Sequence, residues 1–278
     1  LRPLHGTEAG LAGRGGTRVI VRGEGVWLWD SDGNRILDGL AGLWCVALGY
    51  GRRELAEVAE HQIRTLSYYS SFLDTTTPAT IELARMIAER TPPGLDQVFF
   101  GNSGSESIDT IVRLVRHFWT LEGRPEKRIL ISREYAYHGS TLAGASLGGM
   151  AGMHAMSGLL PDVTHVMPPY VYKYGRGMTP DTFGRSAADA LEERILALGP
   201  EHVAAFFAEP VQGGGGVLVP PASYWPRIQE ICRRHDVLLV ADEVICGFGR
   251  TGKWFGCQTY GIEPDFMNIA KAVTSGYV

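Results

Sequence analysis

Six short apolar runs, separated by helical stretches, constrain this chain more than any other feature. They are Gln97–Phe100, Arg128–Ser132, Val163–Met167, Ala204–Ala208, Val237–Ala241 and Phe266–Ile269, with helices expected near 104–121, 181–198 and 222–235. Thr179-Pro180-Asp181 announces the second of these helices, a capping residue followed by proline in the first turn. Strands that read as unbroken apolar runs are buried on both faces. Alternated with helices, they predict an α/β fold with a mainly parallel sheet sandwiched by helices. Such sheets hold ligands at the carboxyl ends of their strands. Polar residues cluster there, after Phe100, Ser132, Ala208, Ala241 and Ile269.

The earlier part of the chain reads differently. Residues 17–37 predict short strands with a turn at Asp32-Gly33-Asn34. Leu55, Val58, Ala59, Gln62 and Ile63 recur at helical spacing over 53–66, and a second helix follows from Thr77 to Arg90 after a loop with Tyr68, Tyr69 and Phe72.

Composition excludes some classes. With 278 residues, 45% hydrophobic and 20% charged, the chain can bury one large core or two domains. A net charge of −4 gives no reason to expect nucleic acid or an acidic membrane as partner. No run of eighteen apolar residues occurs and the first ten residues lack an apolar stretch, so neither a membrane span nor a signal peptide is expected. Cys45, Cys232, Cys246 and Cys257 show no C-x-x-C spacing; free thiols in a reducing cytoplasm, with no metal site, are the expectation.

The strand ends carry the chemistry. G-N-S-G-S-E-S at 101–107 enters a helix. Ser103, Gly104 and Ser105 read either as an anion cradle of backbone N–H groups or as a serine cap with Glu106 in the first turn. The loop R-E-Y-A-Y-H-G-S-T at 133–141 offers Tyr137 as a stacking ring with His138 beside it, or as a core-facing tyrosine. E-P-V-Q-G-G-G-G at 209–216 places Glu209 at a strand end and Gln212 within reach of the same crevice. Asp242 ends an almost purely apolar strand, where an unpaired carboxylate is costly. A pyridinium N–H would offset that cost; so would an arginine such as Arg250.

Lysine is scarce: only Lys127, Lys173, Lys253 and Lys271 occur. Lys127, in R-P-E-K-R, reads as solvated; Lys173 as a surface residue among tyrosines; Lys253 as packing its stem on Trp254. Lys271 alone follows an apolar strand and precedes small residues. Desolvation there lowers an amine's pKa and favours nucleophilic chemistry. An acid and an amine at neighbouring strand ends suit pyridoxal phosphate, whose ring nitrogen needs an anion and whose aldehyde needs an amine.

Together these segments resemble the class III, pyridoxal-phosphate-dependent aminotransferases of fold type I, and among them the ω-transaminases acting on amines or non-α amino acids. The resemblance rests on V-I-V-R-G-E-G-V-W-L-W-D-S-D-G-N, A-G-L-W-C-V-A-L-G-Y-G, F-F-G-N-S-G-S-E-S, Y-H-G-S-T, A-E-P-V-Q-G and A-D-E-V-I-C-G-F-G-R-T-G-K-W-F-G, in that order. It implies ping-pong transfer of an amino group to a keto acid such as pyruvate. Lys271 would be the catalytic amine that anchors the cofactor and carries the proton. Asp242 would bind the ring nitrogen, Val244 and Tyr137 the two ring faces, and Gly104 and Ser105 the phosphate. Ser103, His138 and Glu209 complete the expected cofactor contacts. Leu43, Trp44, Phe72 and Leu73 would shape the substrate pocket. The resemblance also implies a homodimer with a shared active site, a segment of a smaller α+β domain over 1–70, and a large cofactor domain over 71–278. The family's later threonine and arginine, which meet the phosphate and the substrate carboxylate, have no counterpart here, so the chain reads as the N-terminal portion of such an enzyme. The alternatives are an aminomutase or decarboxylating transaminase of the same family, or a non-catalytic fragment. A dinucleotide-binding oxidoreductase lacks its G-x-G-x-x-G spacing.

Overall fold

The structure, a computed structural model, describes residues 16–71 and 73–278. It divides into two compact units, one holding the residues up to Met86 together with Lys271–Val278, the other Ile87–Ala270.

In the first unit β1 (Ile20–Glu24), β2 (Trp27–Asp30) and β3 (Arg35–Leu37) form an antiparallel meander. The turn at 32–34 forms because Asp30, 3% exposed, accepts from the backbone N–H of Asp32 (3.1 Å) and Asn34 (2.8 Å). Helices follow at Arg53–Leu66 and Pro78–Ala88, both within the predicted spans. The sequence expectation placed a division at residues 70 and 71, whereas the compact units divide between Met86 and Ile87. The closing segment groups with the first unit through Ser275 Oγ, which accepts from Leu48 N–H (2.9 Å), and Tyr277 Oη, which accepts from Arg52 N–H and donates to the Gly49 carbonyl.

The second unit is built on β4 (Ile129–Arg133), β5 (Val163–Val166), β6 (Val203–Ala208), β7 (Leu238–Asp242) and β8 (Phe266–Asn268), in the order β5-β4-β6-β7-β8 and parallel throughout. All six residues of β6 are buried. From Ala205 to Ala208 they alternate between two cores. Phe206 and Ala208, with Ile131, Leu239 and Ala241, pack against the helices Pro180–Leu198 and Tyr224–His235. Phe207, with Leu130, Ala205 and Val240, packs against Ile108, Ile111, Val112, Val115 and Trp119 of the helix Gly104–Leu121. The α/β sandwich expected from the apolar runs is therefore present.

Two expectations fail. Gln97–Phe100 forms no strand: among the described residues no strand pairs with it, and Phe99 and Phe100 are exposed. Apolar composition favours a strand only where a ladder partner satisfies its backbone. Lys127, read as solvated, is fully buried. Its ammonium donates to the Pro200 carbonyl (3.1 Å) and lies 4.5 Å from the Trp119 ring centroid, and burial pushes its pKa down to about 8. Arg124 covers the same ring at 4.7 Å. Lys127→Ala is expected to lower unfolding stability by about 1–3 kcal/mol, where a solvated lysine would change it by less than about 0.5 kcal/mol. Urea denaturation of the two proteins distinguishes these outcomes.

Candidate active site

At the carboxyl edge of the parallel sheet, β4, β6 and β7 end on Arg133, Ala208 and Asp242. Asp242 is 3% exposed and every oxygen of its carboxylate is engaged. Oδ2 meets Nδ1 of His138 at 2.7 Å; Oδ1 accepts from Val244 N–H (3.2 Å) and from the side-chain amide of Asn268 (3.3 Å). Nε2 of His138 meets the Ser132 hydroxyl at 3.0 Å. A carboxylate can only accept, so Nδ1 of His138 carries a proton and donates to Asp242. The Ser–His–Asp order matches that of hydrolytic triads, but Ser132 lies inside β4 with no exposed surface. No substrate reaches a nucleophile there. The relay instead fixes His138, and through it the orientation of Asp242.

Between β4 and β7, Glu209 follows the end of β6 and is 2% exposed. Its Oε1 accepts from Tyr137 N–H (3.4 Å), and its own carbonyl accepts from Nη2 of Arg133. Oε2 lies 3.6 Å from that guanidinium, which has no exposed surface and sits 5.7 Å from the Trp225 ring centroid. Burial pushes the Glu209 carboxyl up to about 7; His138 and Arg133 oppose the shift and Asp242 adds to it. A carboxyl whose folded pKa is raised binds its proton more tightly than in the unfolded chain between about 4.5 and 7. Its contribution to stability therefore falls as pH rises through that window. The stability of the cofactor-free protein relative to Glu209→Gln is expected to decline from pH 4.5 to 7 and level off above; denaturation midpoints across that range test it.

A second group of residues surrounds the start of the helix Gly104–Leu121. The Ser103 hydroxyl accepts from Glu106 N–H (3.1 Å), and Glu106 Oε2 accepts from Asn102 N–H (2.6 Å). The side chain of Ser103 is thus a helix cap, and the anion-attracting groups are the first-turn N–H groups of an 18-residue helix. Ser105 Oγ accepts from Ser140 N–H at 3.0 Å, and its carbonyl from the Thr141 hydroxyl at 3.2 Å. Gly139, at φ +129°, lets this contact form: a Cβ there would lie 2.5 Å from Ser105 Oγ. A Cβ on Gly104 would lie 3.0 Å from Val244 Cγ2 and 3.3 Å from Ala270 Cβ. The predicted residues Ser103, Gly104, Ser105, Tyr137, His138, Glu209, Asp242 and Val244 are thereby linked into one constellation within the second unit.

Sequence reasoning missed Ser132, Arg133, Asn268 and Glu243. Arg133 and Asn268 were detectable as polar residues closing apolar runs. Glu243, 1% exposed, has a different task from its neighbour: it accepts from Gly256 N–H (2.9 Å) and Cys257 N–H (2.6 Å) and pins the intervening loop. Gln212, fully buried, donates to the Glu134 carbonyl at 2.9 Å.

The remaining predicted residues belong to the first unit. Leu43 (φ +128°), Trp44 (φ +60°), Leu73 (φ +59°) and Lys271 (φ +50°) all have left-handed backbones. That conformation costs a non-glycine residue roughly 1–2 kcal/mol and concentrates at functional sites. Trp44 is half-buried, Leu43 exposed and Leu73 93% exposed. Lys271 opens a 3₁₀ turn, Lys271–Val273, directly after Ala270. Phe72 lies outside the described residues. Among the described residues no helix is long and apolar enough to cross a membrane, and no group of three or more His, Cys, Asp or Glu could hold a metal ion.

The model of the family "Aminotransferase class-III" matches residues 12–278. The chain belongs to this family. It is 54% identical over 264 residues to putrescine–pyruvate aminotransferase of Pseudomonas aeruginosa, covering 95% of this chain and 58% of that protein. It is 45% identical to diaminobutyrate–2-oxoglutarate transaminase of Halomonas elongata, over 94% of this chain and 56% of the relative. Among solved structures, an (S)-enantioselective ω-transaminase from Thermomicrobium roseum superposes with a TM-score of 0.95 at 45% identity, over 99% of this chain and 61% of that one. The ω-transaminase of Pseudomonas jessenii in complex with PMP gives 0.94 at 45%, over 99% and 61%. The architecture is accordingly the fold type I α/β sandwich of these enzymes, and the chain spans about six-tenths of the length of the relatives it matches.

Class-III aminotransferases depend on pyridoxal 5′-phosphate, and the residues present fit that group. The buried Asp242 carboxylate, held in place by His138, Asn268 and Val244, is an anion suited to meet a heteroaromatic cation. The helix start supplies backbone N–H groups for a phosphate.

Proposed function

We propose that the protein of which this chain forms part is a pyridoxal-phosphate-dependent transaminase moving an amino group from an amine or ω-amino acid to a keto acid such as pyruvate. The observation that carries this reading is the buried Asp242, oriented by His138, Asn268 and Val244 beside a helix start suited to an anion. When bound, the cofactor supplies an electron sink at its cationic ring. Asp242 holds the ring nitrogen charged, and His138 keeps the carboxylate turned toward it. Val244 and Tyr137 bracket the ring, Glu209 holds the Tyr137 backbone in place, and Gly104 and Ser105 take the phosphate while Ser103 caps their helix. Lys271 anchors the cofactor through its amine and, once released, holds and moves the proton. Leu43, Trp44 and Leu73 are assigned to the amine pocket, where the Trp44 ring suits an apolar or polymethylene chain. The enzyme acts in the cytoplasm as a homodimer whose partners contribute to a shared site.

The names of the relatives support a diamine or ω-amino acid donor. The test is a panel of diamines, ω-amino acids and arylalkylamines offered to the full-length enzyme with pyruvate and, separately, 2-oxoglutarate. Alanine formed from pyruvate supports the proposal. An isomerised amino acid or carbon dioxide without alanine would replace it with an aminomutase or decarboxylase. Light scattering of the active enzyme tests the dimer, which an active monomer contradicts.

A further inference from the structure

Asn268 is the last residue of β8, the edge strand of the described sheet, and only 1% of its surface is exposed. Its side-chain amide lies 3.3 Å from Asp242 Oδ1 and 3.2 Å from the Gly104 carbonyl oxygen. Both of those atoms only accept, so the amide must turn its nitrogen toward them. The two N–H bonds of Nδ2 then serve one acceptor each. The backbone reinforces the arrangement: Asp242 and Asn268 are partners in the β7–β8 ladder, and Glu243 N–H donates to the Asn268 carbonyl at 2.8 Å. Among the described residues Asn268 Oδ1 meets no donor, so the residue is not placed here to satisfy all of its own hydrogen-bonding capacity.

The two acceptors matter for what they belong to. Asp242 carries the anion at the end of β7, and Gly104 is the first residue of the helix whose N–H groups face outward from its start. Neither is otherwise tied to the other by a side chain among the contacts described above. We propose that Asn268 is a positioning residue that locks the Asp242 carboxylate to the start of the Gly104 helix, holding the ring-nitrogen and phosphate subsites of the cofactor at a fixed spacing. This rests on the transaminase reading, since it assigns those two subsites to one cofactor. A cofactor bound at both ends gains from that spacing being set before it arrives.

Asn268→Leu preserves approximate volume and removes both donors, and Asn268→Ser keeps one hydroxyl donor on a shorter arm. The full-length protein is prepared without cofactor, and melting temperature and pyridoxal 5′-phosphate affinity are measured by calorimetry and fluorescence quenching. For Asn268→Leu the cofactor-free protein is expected to melt within a few degrees of wild type. Its dissociation constant for the cofactor should rise about tenfold to a hundredfold, and the rise in melting temperature on cofactor addition should shrink in step. The induced circular dichroism per bound cofactor should also change, because the ring is no longer held at one angle. Asn268→Ser should fall between the two proteins and carries the same comparison if the leucine variant does not fold. Equal losses of melting temperature with and without cofactor, at unchanged affinity, would mark Asn268 as structural only and overturn the proposal. Wild-type protein that takes up no cofactor would instead overturn the transaminase reading beneath it.

Discussion

Turnover of the full-length Lys271→Ala enzyme is expected to fall by at least about 10⁴-fold, with cofactor still bound but lost on dialysis against an amine. The other lysines cannot take over. Lys173 donates to the Tyr135 hydroxyl and lies over the Tyr174 ring, and these contacts hold its ammonium protonated well above the ordinary range. A nitrogen kept protonated has no lone pair to offer. Lys127 has the opposite problem. Its pKa of about 8 suits a nucleophile, but it is fully buried beneath Trp119, where the chain enters β4 rather than leaves it. Lys253 is exposed on the loop before Trp254. Borohydride treatment followed by peptide mass mapping should leave the cofactor mass on the peptide containing Lys271. Retention of more than a hundredth of wild-type turnover in the alanine variant, or the mass on another lysine, would show that the amine has been misassigned.

The second large effect is expected at Asp242. Asp242→Asn keeps the shape of the side chain and removes its charge, and turnover should drop by about 10²–10⁴-fold while the fold is retained. Loss of the anion is only part of the reason. The carboxylate now accepts from three donors, His138 Nδ1, Val244 N–H and the Asn268 amide. An asparagine has one acceptor oxygen, so its amide nitrogen must face at least one of those donors, and the site rotates away from the ring. The discriminating measurement is circular dichroism of the bound cofactor alongside single-turnover rates. An asparagine variant with wild-type rates would mean that the charge is not used. A similar loss without change in protein melting would support the electrostatic role.

Much of this site was legible in the sequence because burial of charge is costly and the sequence shows where that cost is accepted. Asp242 stood out as an acid closing V-L-L-V-A, and Glu209 as an acid closing A-A-F-F-A. The loops after β4 and before the Gly104 helix were visible as small and aromatic residues where a parallel sheet places its ligands. Partnerships were not legible. Ser132, His138 and Asp242 are separated by up to 110 positions, and only the strand order β4-β6-β7 brings them across the end of β6. Lys127 looked solvated because its neighbours in sequence are charged, while its neighbours in space are Trp119 and Pro200. The apolar run at Gln97–Phe100 carried no sign that among the described residues it lacks a ladder partner.

The sequence by itself determined the class of fold, the family, and the acids and the amine at the strand ends. These follow from periodicity and local composition, which act over a few residues of chain. Tertiary structure alone decided which donors each acid has, that Ser103 serves as a cap, and that Asn268 joins Asp242 to Gly104. Hydrogen bonds are short-ranged and directional, and the residues that make them here meet only after the sheet has set its strand order.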